Sequence, residues 1–470
     1  MPGSKRYILA MSMVAVAATA QVRLPALPLP AVPLQTLPQT LDQVQSQTRD
    51  RLSDLRHLEI ARLIRANRRT VDTDPNGEPV VRNEVLGLSP TDAALDRARS
   101  LGFGVDREQT IGAMNFRLVV FRAPQRMSTK KALRTLRDAD PDGSYDYNHI
   151  YSGGGALAGD AASGGGVPSS RAAPAGGMLS SRAVPVGAAP SAGPLATDPS
   201  TQEPPSAAPP AVHPVQSRVR IGLLDTGVDA THPVFRDSVI HPWGCDDHAI
   251  AAAHGTAVAS LLIGRSEVFH GVHPDAELYT ADVYCGRATG GAVDALVAAL
   301  GWLVQEKVPV INVSLVGPKN ALLERVIGSL IAGGYIIVAA VGNDGPAAPP
   351  LYPASYQNVV GVTAVDAHHR VLLEAARGPQ VMFASPGADL AAAAGDHTYT
   401  AVRGTSFAAP FVAALLASDL LAPNSADAAA AIAALAKTAV HTGPPGRDLT
   451  YGFGLVGAEY RIDPTALLRR

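Results

Sequence analysis

From about residue 217 onward, short runs of apolar residues alternate with longer segments in which apolar residues recur at helical spacing. The runs at 219–224, 278–283, 308–315, 335–341 and 359–365 predict buried strands, and the segments at 255–264, 292–305, 322–332, 405–421 and 427–438 predict helices. Strands that are apolar on both faces and alternate with helices are typical of a parallel sheet covered on both sides. The pattern therefore predicts an α/β domain with a mostly parallel sheet over residues 216–470.

A different pattern over residues 82–151 predicts a small α+β unit. Strand-like stretches at 82–88, 103–108, 116–122 and 145–151 flank two helical segments, which gives the ferredoxin-like order β-α-β-β-α-β. The first helix is predicted to begin with Ser89 as its N-cap, followed by Pro90 at the first helical position and Asp92 in the first turn. Ser128 or Thr129 is predicted to cap the second helix.

The start of the chain has the pattern of a secretory signal peptide. Lys5 and Arg6 precede an apolar stretch at 7–17, and small residues at 18–20 predict cleavage before Gln21. The apolar stretch is too short to span a bilayer comfortably, and no other segment is long and apolar enough to do so. Residues 1–20 are therefore predicted to direct export, to the periplasm or the medium, and then to be removed.

Two further segments have the composition of connectors. Residues 21–81 combine a Pro-rich stretch at 21–40, expected to be extended, with an Arg-rich helical stretch at 41–69. Residues 152–215 are dominated by Gly, Ala, Ser and Pro and contain no Phe, Trp or Tyr. Such a segment cannot bury enough apolar surface to offset the entropy of ordering it, so it is predicted to be a disordered linker.

Charge and cysteine content add two limits. The 470 residues carry a formal net charge of −2, which gives no electrostatic reason to expect nucleic acid or an anionic membrane as a partner. The sequence has 2 cysteines, Cys245 and Cys285. In an exported protein they can form a disulfide, and the alternative is that both are buried or free thiols. Two cysteines cannot by themselves form a structural zinc site.

Asp225 lies at the end of an apolar strand, in the stretch IGLLDTGVD at 221–229. Sites in open parallel sheets form at such strand ends, and a carboxylate there can orient and stabilise an imidazole. An Asp at this position can also cap the next element. The Asp-Thr-Gly sequence fits an aspartic protease as well, but that chemistry needs two carboxylates sharing a proton. The sequence has no second Asp-Thr-Gly, so this alternative requires a homodimer.

Two other segments bring a reactive side chain to the start of a helix. His254 opens HGTAVASLL at 254–262 and is a candidate general base, although a surface or capping role is equally compatible with a single His. Ser406 lies in GTSFAAPFVAALLA at 404–417, predicted to be in the first turn of an apolar helix whose N–H groups can stabilise an oxyanion. A serine that merely caps the helix is the alternative. Pro410 predicts a kink within that helix.

Taken in the order Asp225, His254, Ser406, these segments resemble the subtilisin family of serine peptidases. The stretches VINVSL (310–315), VAAVGNDGP (338–346) and YGFGLV (451–456) resemble the family's substrate-binding strand, oxyanion segment and closing segment. The resemblance covers residues 217–460 and implies a three-layer α/β/α fold, an Asp-His-Ser triad and peptide hydrolysis through an acyl-enzyme. It also implies an oxyanion hole formed by the Asn343 side chain and the Ser406 backbone N–H.

Residues 82–151 resemble the family's propeptide, an inhibitor of the I9 type. This implies a precursor that processes itself and an N-terminal unit that blocks the cleft until it is removed, with cleavage near or after Tyr151. The expected partners are therefore a protein or peptide substrate and the chain's own propeptide, with no nucleic acid and no membrane span after signal removal. A monomer is expected. A catalytically silent subtilisin-like binding module is the alternative from a different functional class.

The resemblance also implies which residues line the substrate cleft: Ser314, Leu315, Val316 and Gly317, along which substrate adds as a strand, together with Gly342 and Leu351. Val316 and Leu351 stand where the family usually has glycine, which predicts a shallower pocket for a small or medium apolar residue before the cut bond. Residues 261–271 lack the Asn-rich loop that forms the family's strong calcium site. No calcium, other metal or cofactor is therefore expected, and Asp229, Asp246 and Asp247 are expected to be surface carboxylates.

Overall fold

The computed structural model describes residues 56, 58–153, 156–157, 218–244, 248–443 and 446–467. The predicted signal peptide, the Pro-rich stretch at 21–40, most of the predicted linker, Cys245, Asp246 and Asp247 lie outside these ranges. Within them, no helix is long and apolar enough to cross a bilayer.

Residues 58–153 form two helices packed on an antiparallel sheet, preceded by a further helix. The elements are α1 (58–66), β1 (Val71–Thr73), β2 (Pro79–Leu88), α2 (Asp92–Ser100), β3 (Gly104–Ile111), β4 (Phe116–Arg122), α3 (Thr129–Ala139) and β5 (Ser144–Gly153). The strands pair in the order β5-β2-β4-β3, with β1 on β2. Leu95, Phe121 and Leu133 are buried between the sheet and its helices. From β2 to β5 the order is the predicted β-α-β-β-α-β.

One helix start in this unit differs from the prediction, and a second resolves an alternative that was left open. The N-cap of α2 is Thr91, whose side chain accepts the Ala94 N–H, and not Ser89. Ser89 still belongs to the sheet, because its N–H donates to the Arg117 carbonyl and its hydroxyl accepts the Arg117 N–H. Of the two candidates for α3, Ser128 is the cap.

The predicted linker begins too early at residue 152. Strand β5 continues to Gly153, and Ala156–Leu157 form a short strand, β6. Pairing between strands uses backbone N–H and C=O groups, and every residue other than proline supplies both. A segment rich in Gly, Ala and Ser can therefore form a strand when partner strands lie beside it.

The α/β unit contains the elements β7 (Arg220–Asp225), β8 (Val239–Gly244), α4 (Ala253–Ile263), β9 (Glu277–Asp282), β10 (Gly291–Ala292), α5 (Val293–Gln305), β11 (Val310–Val313), β12 (Leu315–Val316), α6 (Ala321–Ala332), β13 (Ile336–Ala340), β14 (Val360–Val365), β15 (Val381–Pro386), β16 (Leu390–Ala393), β17 (Tyr399–Arg403), α7 (Ala409–Ser418), α8 (Ser425–Thr438) and α9 (Pro464–Leu467). Seven strands form one sheet in the order β15-β14-β13-β11-β7-β9-β8, and each neighbouring pair is parallel.

Helices cover both faces of this sheet. Alternate residues of a strand point to opposite faces, and in β11 Val310 belongs to a core with α4 and α7, whereas Ile311 belongs to a core with α5 and α6. This is the predicted three-layer α/β/α architecture. Helix α7 begins at Ala409, so Pro410 lies in its first turn, where a missing N–H costs nothing, and not within the helix as predicted.

The N-terminal unit caps two helices of the α/β unit. At the start of α6, the Asp146 carboxylate accepts the Ala321 N–H at 2.7 Å, and the Asn320 side chain donates to the Tyr147 carbonyl at 2.9 Å. At the start of α5, Asn148 accepts the Asp294 N–H at 3.2 Å. Acceptors at helix N-termini satisfy N–H groups that have no partner within the helix, so these contacts stabilise the docking.

Candidate active site

Asp225 and His254 form a hydrogen-bonded pair at the carboxyl edge of the parallel sheet, in which the Asp225 carboxylate is buried and the His254 ring is partly exposed. Asp225 is the last residue of β7 and is 0% exposed. Its Oδ1 lies 2.7 Å from His254 Nδ1 and also accepts the Thr226 N–H at 2.7 Å. A carboxylate oxygen at this distance fixes the proton of the imidazole on Nδ1, which leaves Nε2 as the basic nitrogen.

The position of His254 depends on a close approach of α4 to the end of β7. His254 is the second residue of α4, and the next residue, Gly255, donates its N–H to the Thr226 hydroxyl at 2.8 Å. A Cβ at Gly255 would lie 2.2 Å from the Thr226 carbonyl oxygen, so only glycine fits. The helix start is thereby held against the strand that carries Asp225.

Ser406 lies in a 3-10 turn, Thr405–Phe407, that precedes α7, and not in the first turn of the helix itself as predicted. Its hydroxyl donates to the Ser314 carbonyl at 3.2 Å, and the Ser314 hydroxyl donates to the Ser406 carbonyl at 2.9 Å. The ring of Phe407, the next residue, lies 5.2 Å from the His254 ring. The structure therefore brings the turn carrying Ser406 to the edge where Asp225 and His254 meet.

Asn343 follows β13 at the same edge of the sheet. Its Oδ1 accepts the Thr405 N–H at 3.0 Å, which fixes the amide against the turn that carries Ser406. Its Nδ2 is buried and has no hydrogen-bond partner among the described residues. An anchored amide with a buried, unused donor is suited to a negative charge that develops only during a reaction.

The chain's own strand β5 runs through the cleft beside these residues. Gly153 and Ser152 pair antiparallel with Leu315 and Val316 of β12, and Tyr151 pairs on the other edge with Gly291 of β10. The Gly153 N–H donates to the Tyr284 hydroxyl at 2.6 Å. A Cβ at Gly153 would be 3.3 Å from the imidazole of His254. A peptide backbone therefore lies in contact with the catalytic candidates.

The chain continues on the far side of Ser406. Ala156 and Leu157 of β6 pair antiparallel with Arg403 and Val402 of β17, and β17 leads directly into the Ser406 turn. The paired stretches on the two sides of the site are separated by only two residues of the sequence. Two short stretches of this chain, 151–153 and 156–157, are thus held by backbone pairing on the two sides of Ser406.

The other residues predicted to line the cleft lie on this face. Leu351 is 3% exposed, and its Cδ1 is 2.5 Å from where a Cβ on Gly342 would be, so the leucine fills the space beside that glycine. Gly317 exchanges backbone hydrogen bonds with Tyr352 at 2.9 Å and contacts the Tyr151 ring. Val316 is buried within the β12 pairing.

Two residues at the cleft did not appear in the sequence-based site. Tyr284 follows β9, so its position just beyond a parallel strand was a usable signal. Burial raises the pKa of Tyr284 well above its usual range, and the Asp225 charge adds to this, so the hydroxyl stays neutral. Arg56 gave no comparable signal. It bonds to Asp344, next to Asn343, and to Glu78 at 2.9 Å, and a cavity of about 540 Å³ separates α1 from the cleft.

The cysteine and metal predictions concern the periphery of the site. Cys285 is disulfide-bonded, and Cys245 lies outside the described residues. Among the residues that the structure describes, no group of three His, Cys, Asp or Glu side chains is arranged to hold a metal ion. Asp229 accepts hydrogen bonds from Thr231, whereas Asp246 and Asp247 fall in the undescribed loop.

The parallel sheet is covered on both faces, and its carboxyl edge carries a hydrogen-bonded Asp–His pair, a nearby serine turn and an anchored amide. These features indicate a hydrolase of the serine-peptidase class. The subtilase family (Peptidase S8) matches residues 216–454, about half of the chain, and the chain belongs to this family. It is accordingly a serine-type endopeptidase, and the predicted subtilisin-like fold is confirmed.

Comparison with known proteins gives consistent relatives. Subtilisin DY from Bacillus licheniformis is 30% identical over 251 residues, which is 52% of this chain and 90% of that protein. Subtilisin E from Bacillus subtilis (strain 168) is 28% identical over 252 residues, and the chain spans only 65% of its length. Fervidolysin from Fervidobacterium pennivorans, described as a keratinolytic enzyme related to subtilisin, shares the fold with a TM-score of 0.61 at 17% identity, over 83% of this chain and 62% of that one.

Proposed function

We propose that this chain is an exported endopeptidase, made as a precursor that cuts itself, with Asp225, His254 and Ser406 as the catalytic triad. The observation that carries the proposal is that the chain's own backbone lies in the cleft as an added strand, beside the imidazole of His254. An extended peptide bound between two strands is how a protease holds a substrate for attack.

In the proposed mechanism His254 Nε2 takes the proton of the Ser406 hydroxyl as its oxygen attacks the carbonyl carbon of the substrate. Asp225 keeps the imidazole in the required tautomer and stabilises its positive charge. The Asn343 amide and the Ser406 N–H stabilise the oxyanion. His254 then gives its proton to the leaving amine, and water hydrolyses the acyl-enzyme. These groups supply each proton transfer and the charge stabilisation, so we propose a reaction that needs no metal or cofactor.

The same features argue against the alternatives. An aspartic protease would pair Asp225 with a second carboxylate, whereas its hydrogen-bonding partner is an imidazole. A silent binding module would have no use for a buried amide donor at the serine turn. We further propose that residues 1–20 direct export, that the N-terminal unit inhibits the enzyme after cleavage, and that the mature enzyme is a monomer.

The test is self-cleavage of the purified full-length precursor. Wild type is expected to yield two fragments in a reaction whose rate does not depend on concentration, and Ser406→Ala is expected to remain intact. Ser418→Ala, an exposed serine at the end of α7, is the matched control and should process normally. Cleavage of Ser406→Ala at the wild-type site would contradict the proposal. Amino-terminal sequencing of the exported precursor would test the signal peptide separately.

A further inference from the structure

We propose that the ion pair between Arg403 and Glu374 positions the two oxyanion donors, the Asn343 amide and the Ser406 N–H, relative to each other. The two residues act through the backbone segments that carry these donors, so they are positioning residues and not catalytic ones. The inference rests on the proposed function, because it concerns the reaction of that same site.

The two donors lie on separate segments, and each segment contains a glycine in an unusual conformation. Gly342, next to Asn343, has a φ of +102°, and Gly404, two residues before Ser406, has a φ of +138°. Glycine adopts such angles without strain, but its backbone is also the least restricted of all residues. The relative position of the two donors therefore depends on contacts that these segments make with other parts of the structure.

Thr405 provides the direct contact between the two segments. Its N–H donates to Asn343 Oδ1 at 3.0 Å, and its hydroxyl accepts the Gly342 N–H at 3.2 Å. Both bonds meet at one residue, so they fix where the segments touch but leave the angle between them less restricted. A second connection is needed to fix that angle.

Glu374 provides this second connection. Its carbonyl accepts the Gly345 N–H at 2.7 Å, and the Ala376 N–H donates to the Gly342 carbonyl at 3.0 Å, so the stretch containing Glu374 is bonded to the segment on both sides of the oxyanion amide. The Glu374 carboxylate accepts Arg403 Nε at 2.6 Å and Arg403 Nη2 at 3.0 Å. Because Arg403 directly precedes Gly404, the ion pair closes a ring of contacts around both donors.

The geometry of the pair suits this positioning role. Two parallel bonds between a planar guanidinium and a carboxylate fix an angle as well as a distance. The Arg403 side chain is 49% exposed and that of Glu374 is 26% exposed, so the pair contributes little to the stability of the whole fold. Misplacement of an active-site group by about 1 Å, in contrast, can lower a rate about 100-fold. The pair should therefore affect catalysis far more than unfolding.

The first experiment measures steady-state kinetics on a short peptide substrate, with enzyme released from the full-length chain. Arg403→Ala and Glu374→Ala should each lower kcat about 10-fold and leave KM nearly unchanged, because the donors remain present but are misplaced. Arg370→Ala is the matched control, since Arg370 forms a similar exposed ion pair with Asp366 in the same connection between strands. A wild-type kcat for Arg403→Ala would overturn the inference.

A peptide boronate adds a readout that a purely structural role would not change. Such an inhibitor forms a tetrahedral adduct with the serine and so resembles the transition state, which an enzyme binds more tightly than its substrate. Its inhibition constant should rise about 10-fold in Arg403→Ala, in parallel with the fall in kcat. An unchanged inhibition constant together with a lowered melting temperature would refute the positioning role.

The second experiment asks whether the pair acts through Asn343. In an Asn343→Ala background only one donor remains, so adding Arg403→Ala should lower kcat by no more than about twofold. A further 10-fold loss would mean that the pair acts elsewhere and would overturn the inference. Glu374→Gln, which keeps the size of the side chain, tests the same bond if Arg403→Ala does not fold.

Ser406→Ala, measured in parallel, separates this inference from the proposed function. Hydrolysis by Ser406→Ala at the wild-type rate would refute the proposed function. An inactive Ser406→Ala together with a normal kcat for both Arg403→Ala and Glu374→Ala would refute only the role of the ion pair.

Discussion

Arg56 offers the most direct way to measure what holds the N-terminal unit over the cleft. One guanidinium nitrogen bonds to Asp344 and another to Glu78 at 2.9 Å, so a single side chain just before α1 joins the loop between β1 and β2 to the oxyanion segment. The Arg56 side chain is 18% exposed and that of Asp344 is 22% exposed. Burial opposes the charge, but the two carboxylates outweigh it and raise the pKa of Arg56.

The expected effect of Arg56→Ala can be worked out from these contacts. A hydrogen bond between charged groups contributes about 1.5–3 kcal/mol when it is largely shielded from solvent. When the N-terminal unit undocks, water hydrates Asp344, and this hydration offsets part of the free energy of the lost Arg56–Asp344 bond. The Arg56–Glu78 bond is not lost, because both residues belong to the N-terminal unit. We therefore expect a net loss of about 2 kcal/mol in docking free energy, which is about a 30-fold weaker association.

The assay uses the complex of the two fragments left by self-cleavage of the full chain. The complex is diluted in steps, and the appearance of activity on a peptide substrate gives the concentration at which half of the enzyme is released. This concentration should rise about 30-fold for Arg56→Ala. Arg65→Ala is the matched control, because Arg65 is exposed on the nearby helix α1 and forms no ion pair among the described residues.

Two results would refute this reasoning. One is equal release from the Arg56→Ala and Arg65→Ala complexes, which would mean that the Arg56–Asp344 bridge adds nothing to docking. The other is a full effect of Arg56→Ala in an Asp344→Asn background. Because the bridge needs both partners, the two substitutions should be far from additive.

Two further predictions follow from the site and the interface. Asn343→Ala should lower kcat about 10²–10³-fold, the loss known for the corresponding amide donor of a subtilisin, and should leave KM nearly unchanged. Steady-state kinetics of the mature enzyme would measure both parameters. A rise in KM alone would contradict the role of Asn343 as an oxyanion donor. Burial raises the pKa of Asp74, but hydrogen bonds from His149 and the Glu78 N–H outweigh burial and lower this pKa below 3.8. The Asp74 carboxylate therefore stabilises the folded state fully above pH 3.8, and this contribution is lost as the pH falls through the lowered pKa. Unfolding of the Ser406→Ala precursor should show this acid dependence, and Asp74→Asn should reduce it; an unchanged dependence would exclude Asp74 as its source.

Much of the α/β unit could be predicted because its strands are apolar on both faces and its reactive residues follow strand ends. Asp225, Ser314 and Asn343 all lie just at or after a strand of one parallel sheet, so topology alone gathers them at one edge. The glycine beside His254 is likewise readable, because a close backbone approach tolerates no Cβ.

The features that escaped prediction depend on contacts between residues far apart in the chain. The stretch at 152–157 has the composition of a linker, and its partners, Leu315 and Arg403, lie more than 150 residues away. The Arg56–Asp344 bridge joins residues separated by 288 positions. No local pattern reports such pairings, since backbone groups and surface charges have many possible partners.

The two paired stretches on either side of Ser406 are anchored unequally, which favours an ordered release after cleavage between them. The upstream anchor includes Tyr151, pairing with β10 and β12, and the capped helices α5 and α6, whereas the downstream anchor is the two-residue pairing of β6 with β17. If the chain is cut between the two anchors, the weaker downstream end is no longer tethered to the stronger one. The new amino terminus should therefore leave the cleft first, and the N-terminal unit should remain bound as an inhibitor until its own contacts open.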